Sequence, residues 1–234
     1  MKQIYLSGFS IFIIAATFFL QSCEPEKKQA IYTGKPYQDS VYLAGPQTIP
    51  GKLQCEYYDL GGEGIAFHDA DSVNSGSGAL NPADGSYLNE FRKNEAVDIS
   101  YTKFYLNAVD NSPYNFVEPE KDQLYIGWTK EGEWTKYTVN ALDSGLYKLG
   151  LMYTSNNGGK ISVSLNDTDA TGEIEIPSTF VEADTVAWRQ WHHWNYLENM
   201  AQIKLEKGIQ TITLHTVEYG DMNYDYISFE RVDK

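Results

Sequence analysis

The sequence predicts an all-β fold, a β-sandwich of jelly-roll type, and three observations carry that prediction. Aromatics make up 14% of the 234 residues, with 18 Tyr, and there are 19 Gly, a balance typical of short strands joined by many turns. Roughly ten short runs alternate apolar with polar residues or concentrate β-branched and aromatic ones, with Gly, Pro, Asn and Ser between them. No internal repeat, heptad pattern or second domain interrupts that rhythm.

Taken in order, the chain opens with Lys2 and the apolar run Ile11 to Leu20 (IFIIAATFFL), too short to span a membrane comfortably. Leu20, Gln21, Ser22 and Cys23 follow, and the whole resembles a bacterial lipoprotein signal: 1–22 would be removed and Cys23 would carry lipid, attaching the protein to a membrane. An ordinary signal peptide with an incidental Cys23 is the plainer alternative. Glu24 and Glu26 resemble the signals that send lipoproteins to the cell surface in the Bacteroides group, so an outer-membrane lipoprotein is expected, on the surface or on the periplasmic face. Residues 23–48 are polar, hold Pro25, Pro36 and Pro46, and read as a flexible tether. With Cys23 lipidated, Cys55 is the one cysteine left, which excludes an intrachain disulfide and marks it as a small buried hydrophobe.

The folded domain is expected over 49–234. Lys52 to Asp59 alternates as a strand, with Leu53, Cys55 and Tyr57 on one face and Gln54, Glu56 and Tyr58 on the other. Ser72 to Ser86 and Thr102 to Asp122 are long irregular loops, uncommon in a compact domain unless they border a site. Between them lies a strand over Asn94 to Tyr101. Leu124 to Asn140 reads as a β-hairpin turning at Thr129 to Gly132, with Trp128 just before the turn and Trp134 just after it. Gly145 to Thr154 and Lys160 to Asn166 read as a second strand pair. Phe180 to Leu197 is loop then strand, since nothing caps a helix there. Ile203 to Leu205 and Ile209 to Val217 form a further hairpin, and Asn223 to Arg231 closes the fold.

Two groups of residues carry chemistry. In the closing strand Asp225 shares its parity with Ile227 and Phe229, so a carboxylate points toward the core, which is costly unless it is paired or ligates a cation. Gln54 and Glu56 are oxygen donors on one face of the first strand, and if first and last strands meet, these three could build a Ca²⁺ site. Solvent-facing edge charges are the equal alternative. Trp128 beside a Gly-containing turn is read as a platform for a flat apolar ligand face rather than as core.

Six ordered stretches then match a known pattern: IPGKLQCEYYD (49–59), GEGIAFHDAD (62–71), EAVDI (95–99), IGWTKEGEWTKYTVN (126–140), WRQW (188–191) and NYDYISF (223–229). Together they resemble a family 6 carbohydrate-binding module. The resemblance implies a jelly-roll β-sandwich of galactose-binding-like kind, a structural Ca²⁺ on Gln54, Glu56 and Asp225, and a glycan cleft among the loops at one end. It further implies that Trp128 and Trp188 face each other across a sugar ring while Asn223 hydrogen-bonds its hydroxyls. A pyranose has an apolar C–H face and a hydroxyl rim, so rings and an amide suit it without charge. Phe91, Tyr87 and Tyr125 are candidate extra platform residues, and His68 and Glu63 candidate polar contacts. Trp134, Trp191 and Trp194 are assigned to core packing.

The formal net charge of −14 repels a polyphosphate, so nucleic acid is excluded as a partner. Neither a serine elbow, a phosphate loop nor metal-ligand histidine spacing occurs. Glu131 and Glu133, flanking Gly132, are two carboxylates such as a glycosidase needs, but acids in a turn are ordinarily solvated. The expected function is therefore non-catalytic binding of a polysaccharide or oligosaccharide by a lipid-anchored surface protein, working with glycan-degrading enzymes. A glycoside hydrolase, or an adhesion or scaffold lipoprotein with a vestigial cleft, is the alternative.

Overall fold

Alternating short runs become strands because each can bury one face against a second sheet. The computed structural model describes residues 1, 32–105 and 109–232. Contacts divide the chain into Met1–Ile31 and Tyr32–Lys234. The expected signal peptide beyond Met1, and Cys23, lie outside the described residues.

In chain order the first strands are β1 (Gln47–Ile49), β2 (Gly51–Gln54), β3 (Phe67–His68), β4 (Ser77–Gly78), β5 (Asn81–Pro82), β6 (Ile99–Tyr101) and β7 (Leu124–Ile126). The rest are β8 (Trp134–Ala141), β9 (Gly145–Ser155), β10 (Gly159–Leu165), β11 (Thr168–Asp169), β12 (Ile174–Ile176), β13 (Asn195–Leu205), β14 (Gly208–Glu218) and β15 (Met222–Arg231). One sheet runs β1-β8-β14-β10-β11, with β3 added on β8 and β12 on β10. The other runs β13-β9-β15-β7-β6, with β2 added on β15. Val139, Ile161, Val163, Ile212 and Leu214 from the first sheet and Leu53, Leu149, Leu151, Ile227 and Phe229 from the second form one buried core, so the architecture is an all-β sandwich.

Several expectations need correction. β7 and β8 are not a hairpin: β7 pairs with β6 and β15, whereas β8 pairs with β1, β3 and β14 in the opposite sheet. β9 and β10, and likewise β13 and β14, also lie in different sheets. A short turn between two half-buried runs permits either a hairpin or a corner, and the sandwich uses all three turns as corners. Residues 32–48 are not wholly a tether. Lys35 pairs with Leu60 through the backbone, Tyr37 is buried and stacks on Tyr57 at 5.4 Å, and β1 pairs in parallel with β8. Its tyrosines supply the apolar area that its polar composition concealed.

The strand expected over 52–59 stops at Gln54. A 3-10 turn, Cys55–Tyr57, follows and buries Cys55 and Glu56 together, where alternation would have separated them. β15 carries an irregularity between Tyr224 and Tyr226, where it passes from pairing β7 to pairing β2. Asp225 sits in that bulge and is buried, as its parity predicted.

Candidate functional site

Trp128, Trp188 and Asn223 come from three separated parts of the chain and line one cavity of about 500 Å³. Tyr125, the middle residue of the buried strand β7, lines it as well; it is 1% exposed and packs edge-on against Trp194 at 5.2 Å. Trp188 is 54% exposed, so the cavity opens to solvent on that side.

Trp128 reaches the cavity through an unusual backbone. Its φ of +49° is left-handed, a conformation that a bulky residue adopts only when its neighbours are fixed. They are fixed: the Gly127 amide donates to the Asp98 carbonyl at 2.9 Å, and the Thr129 hydroxyl donates to the Met222 carbonyl at 3.0 Å. Gly127 has a second duty. A Cβ there would stand 2.8 Å from Asn223 Oδ1, so only glycine leaves the amide its place.

Asn223 is buried, and its Nδ2 donates to Thr154 Oγ1 at 2.8 Å and to the Trp191 carbonyl at 2.7 Å. The carbonyl can only accept, which fixes the amide's orientation. Its Oδ1 has no protein partner among the described residues and remains an acceptor for a ligand hydroxyl.

Trp188 stands on a 3-10 turn, Ala187–Trp191, that is held by buried polar ties rather than by apolar packing. Asp184, whose carboxylate is fully shielded, accepts from Arg189 Nε at 2.6 Å and His193 Nε2 at 2.8 Å, and the Arg189 guanidinium keeps its carboxyl well below the usual range. Gln190 adds bonds to the Val181 amide and carbonyl and to the Asp184 carbonyl. The long loop after β6 braces this turn: Tyr114 bonds the Ala183 carbonyl, and buried Asp110 accepts from His192 and Trp194.

Not every expected residue is there. Phe91 is 3% exposed within a ring cluster of Tyr37, Tyr57 and Tyr87, and Tyr87 bonds Asp39. Neither lines the cleft, because the docked N-terminal segment covers them. His68 and Glu63 pair with each other, and His68 lines a separate, water-sized cavity with Asp98 and Glu133. Glu133 is buried with both carboxylate oxygens held by backbone amides, Ala70 and Lys130, while Glu131 is exposed, so these two do not flank a cleft. Trp194 is core as expected, whereas Trp191 lines the cavity. Leu80, His192 and Asp221 were missed. Their one sequence signal was adjacency: His192 follows the WRQW stretch, Asp221 precedes Asn223, and Leu80 lies in a loop flagged for its length.

Away from the cleft, Gln54, Glu56 and Asp225 meet where β2 joins β15. Glu56 Oε2 and Asp225 Oδ1 are buried without a partner among the described residues. Gln54 Oε1 and Glu56 Oε1 both accept from Gln123 Nε2 at 3.3 Å. Burial, with Asp225 nearby, drives the Glu56 carboxyl well above its ordinary range, and burial pushes Asp225 up to about 7. Two orphaned carboxylate oxygens beside an amide oxygen form a hard donor set that fits Ca²⁺. No group of three or more His, Cys, Asp or Glu positioned for a metal exists among the described residues, so Gln54 is needed to complete the set.

The sequence model of carbohydrate binding module family 6 matches residues 108–231, more than half of the 234-residue chain. The chain belongs to that family. Its matched region holds Trp128, Trp188, Asn223 and Asp225. Among solved structures, a family 6 module of Clostridium stercorarium in complex with cellobiose aligns at 16% identity and a TM-score of 0.48, covering 81% of this chain and 100% of that one. A module from Cellvibrio mixtus lichenase 5A in complex with cellotriose aligns at 15% and 0.46, covering 79% and 98%. A β-1,3-glucan-binding module of Bacillus halodurans aligns at 15% and 0.45, again covering 79% and 98%. No curated protein matches the chain.

Proposed function

We propose that this family 6 module binds a glycan without cleaving it, one sugar ring lying between the indoles of Trp128 and Trp188 and hydrogen-bonded through Asn223 Oδ1. The observation that carries the reading is that two tryptophans sixty positions apart in sequence line one open cavity with a committed amide between them. Indole faces suit the C–H face of a pyranose, each stack contributing roughly 1 kcal/mol beyond area burial. Membership of the family supports sugar binding as such. The membrane anchor at Cys23, the cell-surface location and cooperation with glycan-degrading enzymes belong to the same proposal and rest on the signal-like N-terminus. Ca²⁺ held by Gln54, Glu56 and Asp225 is its structural part: when bound, the ion would neutralise two buried carboxylates and lock β2 onto β15, away from the cleft.

Retention of the full chain on a panel of insoluble xylan, β-glucan and agarose tests it. Binding to at least one polymer is expected, lost at least tenfold in Trp128→Ala and in Trp188→Ala, with no new reducing ends. Release of reducing ends would favour a hydrolase instead, and absence of binding together with absence of hydrolysis an adhesion role.

A further inference from the structure

The histidines of the sequence show no metal-ligand spacing, yet one of them, His192, lines the cleft. Its Nδ1 lies 2.9 Å from Asp110 Oδ1. Asp110 is fully buried and accepts on both oxygens, from Trp194 Nε1 at 2.8 Å on Oδ1 and from the Lys103 amide at 2.7 Å on Oδ2. His192 Nδ1 is therefore the donor, and in the imidazole form with its proton there the lone pair lies on Nε2. No described residue meets Nε2. The ring's position is set a second time by Trp188, against which it packs edge-on at 6.1 Å.

Beyond the neutral indole N–H groups and the Tyr125 hydroxyl, the polar atoms of the cleft are acceptors, Asn223 Oδ1, His192 Nε2 and the Asp221 carboxylate, and none of the lining residues is Lys or Arg. Such a set suits a ligand that arrives with hydroxyl donors and carries no negative charge, on a protein whose own charge is −14. We propose that His192 is a specificity-determining contact of the cleft, its Nε2 accepting a hydrogen bond from a hydroxyl of an uncharged sugar ring. The inference rests on the glycan-binding reading above and names the ligand class of the same site.

Two variants separate contact from positioning, because an Asn amide nitrogen falls near His Nδ1 and a Gln amide group near Nε2. In the full chain, titrated with soluble β-glucan, xylan and agarose oligosaccharides, His192→Asn keeps a donor to Asp110 but loses the ligand acceptor. It is expected to weaken binding about five- to tenfold, the scale of one neutral hydrogen bond. His192→Gln offers its amide oxygen to the ligand and is expected to stay within about twofold of the native chain. The reverse order would make His192 a spacer for Trp188 and overturn the proposal, as would two variants equal to the native chain. Polygalacturonate is expected to bind at least tenfold more weakly than the best neutral glycan; equal binding overturns the ligand class. A native chain that binds none of the neutral glycans overturns the glycan-binding reading itself, whereas native binding with an unaffected His192→Asn overturns this inference alone.

Discussion

At the residue scale the cleft depends on a few side chains whose freedom has been removed. Trp128 is clamped in a left-handed conformation, Asn223 has spent its donors on Thr154 and Trp191, and Gly127 exists to leave that amide room. Gly127→Ala is expected to push Asn223 Oδ1 aside, cutting glycan affinity about tenfold and costing about 1–3 kcal/mol of stability from overpacking. Calorimetric titration and urea unfolding of the one variant read both. Asp98 offers a pH test. Burial pushes its carboxyl up from 3.8 to about 6, so the stability it contributes is fully present below its unfolded value and lost as pH rises through 6. Thermal unfolding of the native chain is therefore expected to show a downward component between about pH 4 and 6, continued toward 7 by Glu133 and Asp225, whose carboxyls burial also raises. Asp98→Asn, which keeps an acceptor for the Ser75 amide, is expected to flatten the part of that decline below pH 6 and leave the part above it.

At the element scale the strands were legible and their partners were not. The alternation in Ile161 and Val163 and the parity of Asp225 came through because a two-residue period is local to the chain. The three supposed hairpins failed because a turn such as Thr129 to Gly132 fits a corner between sheets as well as a hairpin, and the choice is made by packing far away in sequence. The same distance effect hid Phe91. Its ring looked free until Tyr37, from a stretch whose prolines and charges read as tether, closed over it beside Tyr57. A chain beginning at Gly45 is accordingly expected to be less stable than one beginning at Tyr32 by at least about 3 kcal/mol, the cost of losing one large buried ring. Equal urea midpoints would show that the segment is only draped on the surface. The motif-bearing residues of the cleft were legible as motifs; His192 and Asp221 were not, since a side chain beside a motif gains meaning only from the loop that orients it.

At the scale of the whole molecule, the sandwich separates two tasks. The joint of β2 and β15 gathers two buried carboxylate oxygens without a partner among the described residues, while the loops at the cleft carry rings and acceptors. Chelation of the full chain is therefore expected to lower Tm, and added Ca²⁺ at about a hundred times its Kd to restore about 2.7 kcal/mol, or roughly 5–10 °C. Glu56→Gln is expected to lose that response; a Tm indifferent to both chelator and Ca²⁺ would remove the metal from the account. The central claim concerns the cleft. Its most direct measurement is a nuclear magnetic resonance titration of the indole N–H signals with the best-bound neutral oligosaccharide. The signals of Trp128 and Trp188 are expected to move together with one Kd while that of buried Trp194 stays within a small fraction of their shift. Movement confined to Trp134, or saturation of binding with Trp128 and Trp188 both silent, would contradict it.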